Sequence, residues 1–276
     1  GGAISSSDSD LSIDGSTFIT NEASYGGGFY FDGYSENGID INNSYIGDSF
    51  ANFSGQGNGG GMYLKGYYWE PLLINMDSTT VEANTSECYG GGIFAQYISD
   101  ESYWFNLTIS SNSITSLCEG GGMYLQNSDP RIINSVFEGN IVYSTGAAIA
   151  VEEDSQVLLE RVLIRDNHAE DGGVISSGLG ANIDLLNVAM VDNSSSAIRV
   201  FGSFPQNDAA NINIGFSTIA ENSTGEEVYI ESAANLTIIS SIVRNSSDET
   251  ESAIKISEET GDPVVVTIGY SNVKGG

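Results

Sequence analysis

The chain has 276 residues, with 8 Lys and Arg against 37 Asp and Glu, a formal charge of −29. That balance excludes binding through a nucleic-acid backbone or to an anionic membrane, since both draw their affinity from Lys and Arg. Thirty-four glycines, 39 serines and 24 asparagines against four prolines argue against a helical protein, because Gly, Asn and Ser favour turns, while 40% apolar residues suffice for a core.

The chain opens on Gly1-Gly2-Ala3-Ile4, in the middle of a repeat and without an initiator Met or a basic, apolar leader. It therefore reads as a processed product or part of something longer. No apolar run approaches the roughly 20 residues of a membrane-spanning helix.

The same small-residue cluster, followed by an apolar anchor, returns at Gly26-Gly27-Gly28-Phe29, Gly59-Gly60-Gly61-Met62, Gly90-Gly91-Gly92-Ile93 and Gly120-Gly121-Gly122-Met123. It continues at Gly146-Ala147-Ala148-Ile149 and Gly172-Gly173-Val174-Ile175, then degenerates to Ser196-Ala197-Ile198, Glu227-Val228-Tyr229 and Ser252-Ala253-Ile254. A second signature, apolar-x-x-Asn, runs in phase with it. It ends on Asn21, Asn84, Asn112, Asn140, Asn167, Asn193, Asn222 and Asn245, with Tyr45…Asp48 standing in on one coil. Short alternating runs such as Ile39-Asp-Ile41 and Ile183-Asp-Leu185 precede the asparagines and read as strands.

Strands and Gly/Asn turns repeating every 25 to 30 residues or so predict an all-β fold, a right-handed parallel β-helix of about ten coils. Residues 1–276 form a single domain in this reading, a segment of a longer surface protein. At about 4.8 Å per rung the rod would be about 45–50 Å long. Asparagine tolerates left-handed backbone, and stacked amides can bond one another along the axis, so the asparagines are expected to form a structural ladder. Of the eight Asn-x-Ser/Thr sequons, those at Asn84, Asn193, Asn222 and Asn245 coincide with the ladder and should be buried.

If the anchors point inward, alternation turns Tyr30, Tyr63, Phe94 and Tyr124 outward on four consecutive coils. Gly28, Gly61, Gly92 and Gly122 would form a side-chain-free track beside them. The loops that follow carry Tyr67-Tyr68-Trp69 and Tyr103-Trp104-Phe105. Amphipathic rings of this kind suit protein or sugar recognition, so Tyr30, Tyr63, Phe94, Tyr124, Tyr67, Tyr68, Trp69, Tyr103 and Trp104 are the candidate binding residues. The competing reading folds the loop aromatics down as a cap over the strip.

Cys88 and Cys118 each precede a glycine triplet by two residues, on neighbouring coils. That places them within disulfide range and favours an oxidising, extracellular setting. Two thiolates without His make an incomplete metal shell, so no metal site is expected. The lone His168 has no nucleophile motif beside it. Acid-rich stretches at Glu152-Glu153-Asp154, Asp248-Glu249 with Glu251, and Glu258-Glu259 with Asp262 read as solvated surface with at most weak Ca²⁺ affinity. No cofactor is expected.

Gly1-Gly2-Ala3-Ile4, Phe18-Ile-Thr-Asn21 and Phe137-Glu-Gly-Asn140 resemble the paired repeats of the chlamydial polymorphic outer-membrane proteins and related bacterial surface β-helices. The resemblance implies an exported cell-surface passenger acting as an adhesin, with protein or glycan partners on another surface or self-assembly into a fibre, and no membrane insertion of this segment. Two further readings stand beside it: a polysaccharide lyase or glycoside hydrolase on a β-helix, and a purely architectural filament subunit. A lyase is disfavoured by eight scattered basic residues. A hydrolase would need a suitably spaced carboxylate pair.

Overall fold

A computed structural model of the chain describes residues 1–273, except 34–37, 179, 202–208, 223–225, 232, 245–251 and 258–263. The described residues contain no α-helix. They wind as a right-handed parallel β-solenoid of ten coils. Three ten-stranded sheets run the length of the rod, starting at Ile4–Ser6, Leu11–Asp14 and Thr17–Ile19. A fourth sheet of six strands, from Glu22–Ala23 to His168–Ala169, closes one corner of the first six coils.

The register follows the repeat. Ile4, Phe29, Met62, Ile93, Met123, Ile149, Ile175 and Ile198 are successive partners in the first sheet, and from Phe29 onward they are almost fully buried. One slip occurs late: Val228, not Tyr229, continues that column, and Tyr229 falls in line with outward Arg199. A coil cannot bury its own apolar side alone, and stacking turns ten such sides into one continuous core.

Two corners turn by the same device, one residue in left-handed conformation between two strands. Leaving the second sheet these residues include Asn43, Asn106, Asn134 and Asn187, but also Ser78, Arg161, Phe216 and Tyr270. Leaving the third sheet they are Thr20, Asp48, Ala83, Ser111, Gly139, Asp166, Asp192 and Glu221. Each ladder asparagine comes immediately after one of the latter. The asparagines are therefore retained for their amides and not for left-handed backbone.

The ladder itself runs unbroken from Asn84 to Asn222. Each amide Nδ2 donates to the next Oδ1: Asn84 to Asn112 at 3.1 Å, Asn112 to Asn140 at 3.1 Å, Asn140 to Asn167 at 2.9 Å, Asn167 to Asn193 at 3.0 Å and Asn193 to Asn222 at 2.7 Å. Each Nδ2 also donates back to a carbonyl of the preceding coil, such as Val81 or Ile109. Asn21 lies in line with these residues, but Phe18 pairs with Ile46, so Ser49 and not Asp48 holds the second position. The Ser49 hydroxyl accepts from the Asn21 N–H at 3.4 Å. Asn245 lies outside the described residues. Asn84, Asn193 and Asn222 are buried, as the overlap of sequon and ladder predicts.

The glycine track does not lie on the surface. A Cβ on Gly61 would sit 2.9 Å from the Asn84 amide nitrogen, and one on Gly92 would sit 2.9 Å from the Asn112 amide carbon. These glycines face inward because the chain turns a corner just before the anchor, which interrupts the alternation. The first glycine of each triplet has a different constraint: Gly120 has φ +79°, and a Cβ there would fall 2.5 Å from the Met123 carbonyl oxygen.

Candidate functional site

The outward column of the first sheet is Ser5, Tyr30, Tyr63, Phe94, Tyr124, Ala150, Ser176, Arg199, Tyr229 and Lys255. One-rung spacing stacks the four rings. Centroids are 5.1 Å apart for Tyr30–Tyr63, 4.8 Å for Tyr63–Phe94 and 5.6 Å for Phe94–Tyr124, all within 10° of parallel. The predicted aromatic strip therefore exists, and neighbours cover much of it. Tyr25 tilts against Tyr63, and Tyr89 against Tyr124. Phe94 is left 5% exposed and Tyr124 7%. Burial and the nearby Asp32 raise the Tyr63 phenol, and burial with Glu152 and Glu119 raises that of Tyr124. Tyr30, at the open end, donates its hydroxyl to Asp32 Oδ2 at 3.1 Å, and burial together with Asp32 pushes its pKa up to about 12.

Trp104 is not a surface residue. Tyr103–Phe105 is a strand of the second sheet, and alternation sends Trp104 into the core with its Nε1 donating to the Ile74 carbonyl at 3.1 Å. Tyr103 faces outward on that strand beneath the Arg131 guanidinium, 5.6 Å from its ring centroid. It borders a shallow groove of about 490 Å³ with Asp100, Glu101 and Arg131.

Tyr67-Tyr68-Trp69 is a true projection. Tyr67 and Glu70 exchange backbone hydrogen bonds of 3.2 and 3.0 Å, closing a tight turn with Tyr68 and Trp69 at its tip. Both tip residues are 77% exposed. The Tyr67 and Trp69 rings stack at 5.2 Å and 17°, and Tyr68 meets Tyr97 edge-on at 6.2 Å. Beside the hairpin, a cleft of about 500 Å³ opens between the first three coils, lined by Ser5, Ser6, Ser7, Asp8, Tyr30, Asp32, Lys65 and Tyr67. Lys65 and Asp32, both in its lining, approach to 4.0 Å. Thus Tyr30 and Tyr67 line one cleft with Tyr68 and Trp69 on the adjoining turn, whereas Phe94 and Tyr124 are covered further along the same stack and Tyr103 borders a different groove.

Two features escaped the sequence reading. Glu119 and Glu152 meet side chain to side chain beside Tyr89 and Tyr124, and burial raises both carboxyls above the ordinary carboxylate range. Glu152 is thus not part of a solvated acidic patch. Adjacency of Glu119 to Cys118 and of Tyr89 to Cys88 was the available clue, because the disulfide joins those two segments. It forms as expected, with a Cα–Cα distance of 5.0 Å.

The second feature is Glu227. It is fully buried and closes the amide ladder by accepting from Asn222 Nδ2 at 2.6 Å, and burial pushes its pKa up to about 7. Nothing in the spacing signals it, because it occupies an amide's place from a different position in the repeat.

His168 is exposed and bonds through Nδ1 to the Ser194 hydroxyl. Among the described residues no three His, Cys, Asp or Glu side chains converge as a metal ion would need. The acid-rich stretches at 248–251 and 258–262 lie wholly outside the described residues. Comparison with family models, with curated proteins and with solved structures finds no match.

Proposed function

We propose that this chain is a recognition-bearing segment of an extracellular adhesin or surface fibre, and that the Tyr67–Glu70 hairpin with the adjoining cleft is its contact surface. The observation that carries the reading is the tip of that hairpin. Tyr68 and Trp69 stand 77% exposed on a hydrogen-bonded turn, whereas the other tryptophan, Trp104, is wholly buried. Rigid, amphipathic rings held in solvent are the composition of binding hot spots. The disulfide supports an oxidising compartment outside the cytosol. The resemblance to bacterial surface β-helices supports an adhesin in particular.

The hydrolase reading gains one specific observation, the Glu119–Glu152 pair. Its carboxyls are hydrogen-bonded to each other. A retaining glycosidase needs about 5–5.5 Å between such groups and an inverting one about 6.5–9.5 Å, so this pair leaves no room for a glycosidic bond.

The test is adhesion of protein-coated beads to epithelial cells and to mucin, for the native chain and for Tyr68→Ala with Trp69→Ala. Both changes sit in solvent, so thermal stability should be unaltered while bead retention falls at least fivefold. Equal retention of the two proteins would remove the hairpin, and with it the adhesin reading.

A further inference from the structure

We infer that the cleft beside the hairpin is a subsite for one ring of a neutral or amine-bearing sugar, and that it rejects acidic sugars. This rests on the surface-recognition reading above and gives it a ligand class.

One wall of the cleft is aromatic. Tyr67 lines the cleft, and its ring is held by stacking on Trp69 at 5.2 Å and by the two backbone bonds to Glu70. A ring fixed in this way offers a flat apolar surface whose ordering cost is already met before a ligand arrives. A pyranose presents just such a pairing, with C–H groups on its face and hydroxyls on its edge.

The polar part of the lining mixes donors with acceptors. Lys65 supplies an ammonium, and Asp32 a carboxylate already oriented by the Tyr30 hydroxyl at 3.1 Å. Asp8 adds a second carboxylate. A polyol both donates and accepts hydrogen bonds and can satisfy all of these groups. A purely apolar ligand would strip them of water without replacing its hydrogen bonds. The volume, about 500 Å³, lies within the range of small-molecule sites.

The charge of the cleft selects among sugars. Two carboxylates face one ammonium in the cleft, on a chain of formal charge −29. Uronic and sialic acids would approach against that field, whereas an amino sugar would be drawn along it. The groove at Tyr103 is the weaker competitor, because Arg131 already covers that ring.

The experiment is a glycan array of neutral, amino and acidic hexose oligomers, followed by titration of the best-retained oligomer into the native chain, Tyr67→Ala and Tyr103→Ala. Neutral or amino oligomers should be retained and acidic ones not, and amino oligomers should weaken at least threefold between 20 and 300 mM NaCl. Tyr67→Ala should lower affinity at least tenfold with an unchanged circular dichroism spectrum.

Retention of acidic oligomers alone, an empty array, or a Tyr67→Ala affinity equal to the native one would overturn the assignment. Loss in Tyr103→Ala but not in Tyr67→Ala would move the subsite to the other groove. An empty array together with hairpin-dependent bead adhesion would sink the sugar subsite and leave the adhesin standing. Sugar binding through Tyr67 with hairpin-independent adhesion would do the reverse.

Discussion

Asn140 shows how much a single side chain carries in this molecule. Its Oδ1 accepts from both the backbone N–H and the Nδ2 of Asn112, and its own Nδ2 donates to Ile109 O and to Asn167 Oδ1. Asn140→Ala would strand at least two buried donors and a carbonyl, at about 1–3 kcal/mol each. We expect a loss of about 3 kcal/mol or more in urea denaturation, and a loss below 1 kcal/mol would mean that water replaces the amide. Glu227 gives a pH signature of known sign. Its folded pKa, about 7, lies above the ordinary value near 4.5, so the folded state binds more protons between those limits. Its contribution to stability therefore declines as pH rises from about 4.5 to about 7 and stays unfavourable above. Glu227→Gln should raise the melting temperature at pH 8 relative to the native chain and have little effect at pH 4.5. A pH-independent difference would show that the carboxyl does not titrate in that window.

At the scale of the element, the corners and the cross-link decide. Gly120 has φ +79°, and an added methyl would meet backbone atoms of Met123 at 2.5 and 2.8 Å. Gly139 has φ +64° but only Ser111 near it, at 3.7 Å and beyond. Gly139→Ala should therefore cost about 1–2 kcal/mol, the penalty of a left-handed L-residue. Gly120→Ala should cost clearly more, because the first sheet must shift to admit it. Equal losses in the two variants, measured by the same denaturation, would contradict the packing of that corner. The Cys88–Cys118 bond closes a loop of 30 residues in sequence separation. Chain entropy assigns such a loop about 3–4 kcal/mol. Replacing both cysteines by Ser should lower stability by about that amount. It should also speed hydrogen exchange at Tyr89 and Glu119, whose side chains roof Tyr124 and Glu152.

The whole rod is held against its own charge. The described cations are engaged locally, as in Lys65–Asp32, Arg165–Glu138, Arg199–Glu231 and Arg244–Glu221, and eight Lys and Arg are too few to balance 37 Asp and Glu. Exposed ion pairs add little, whereas long-range repulsion among excess charges destabilises a compact state and is screened by salt. The melting temperature should therefore climb between 20 and 500 mM NaCl at pH 8. A flat or falling curve would show that the carboxylates are too far apart to matter. Because each coil contacts only its neighbours, the same charge is spread along the rod and does not oppose any single packing contact.

Coil number, the disulfide and, apart from one-residue slips at Val228 and Ser49, strand register could be read from residue spacing. A parallel solenoid repeats its environment every coil, and a recurring environment selects recurring residues: the inward anchors, Asn84 through Asn222, and the Cys pair. What failed was whatever depended on direction at a corner or on contact between loops. Gly61 turns inward where alternation sent it out, and Trp104 enters the core because its segment is a strand and not a loop. The strip from Tyr30 to Tyr124 was legible, but the roof of Tyr25 and Tyr89 over it was not, since no spacing encodes which way a loop folds. The Glu119–Glu152 pair and the Tyr67 cleft belong to the same class. They arise between coils, from residues without a fixed period, and only the folded chain brings them together.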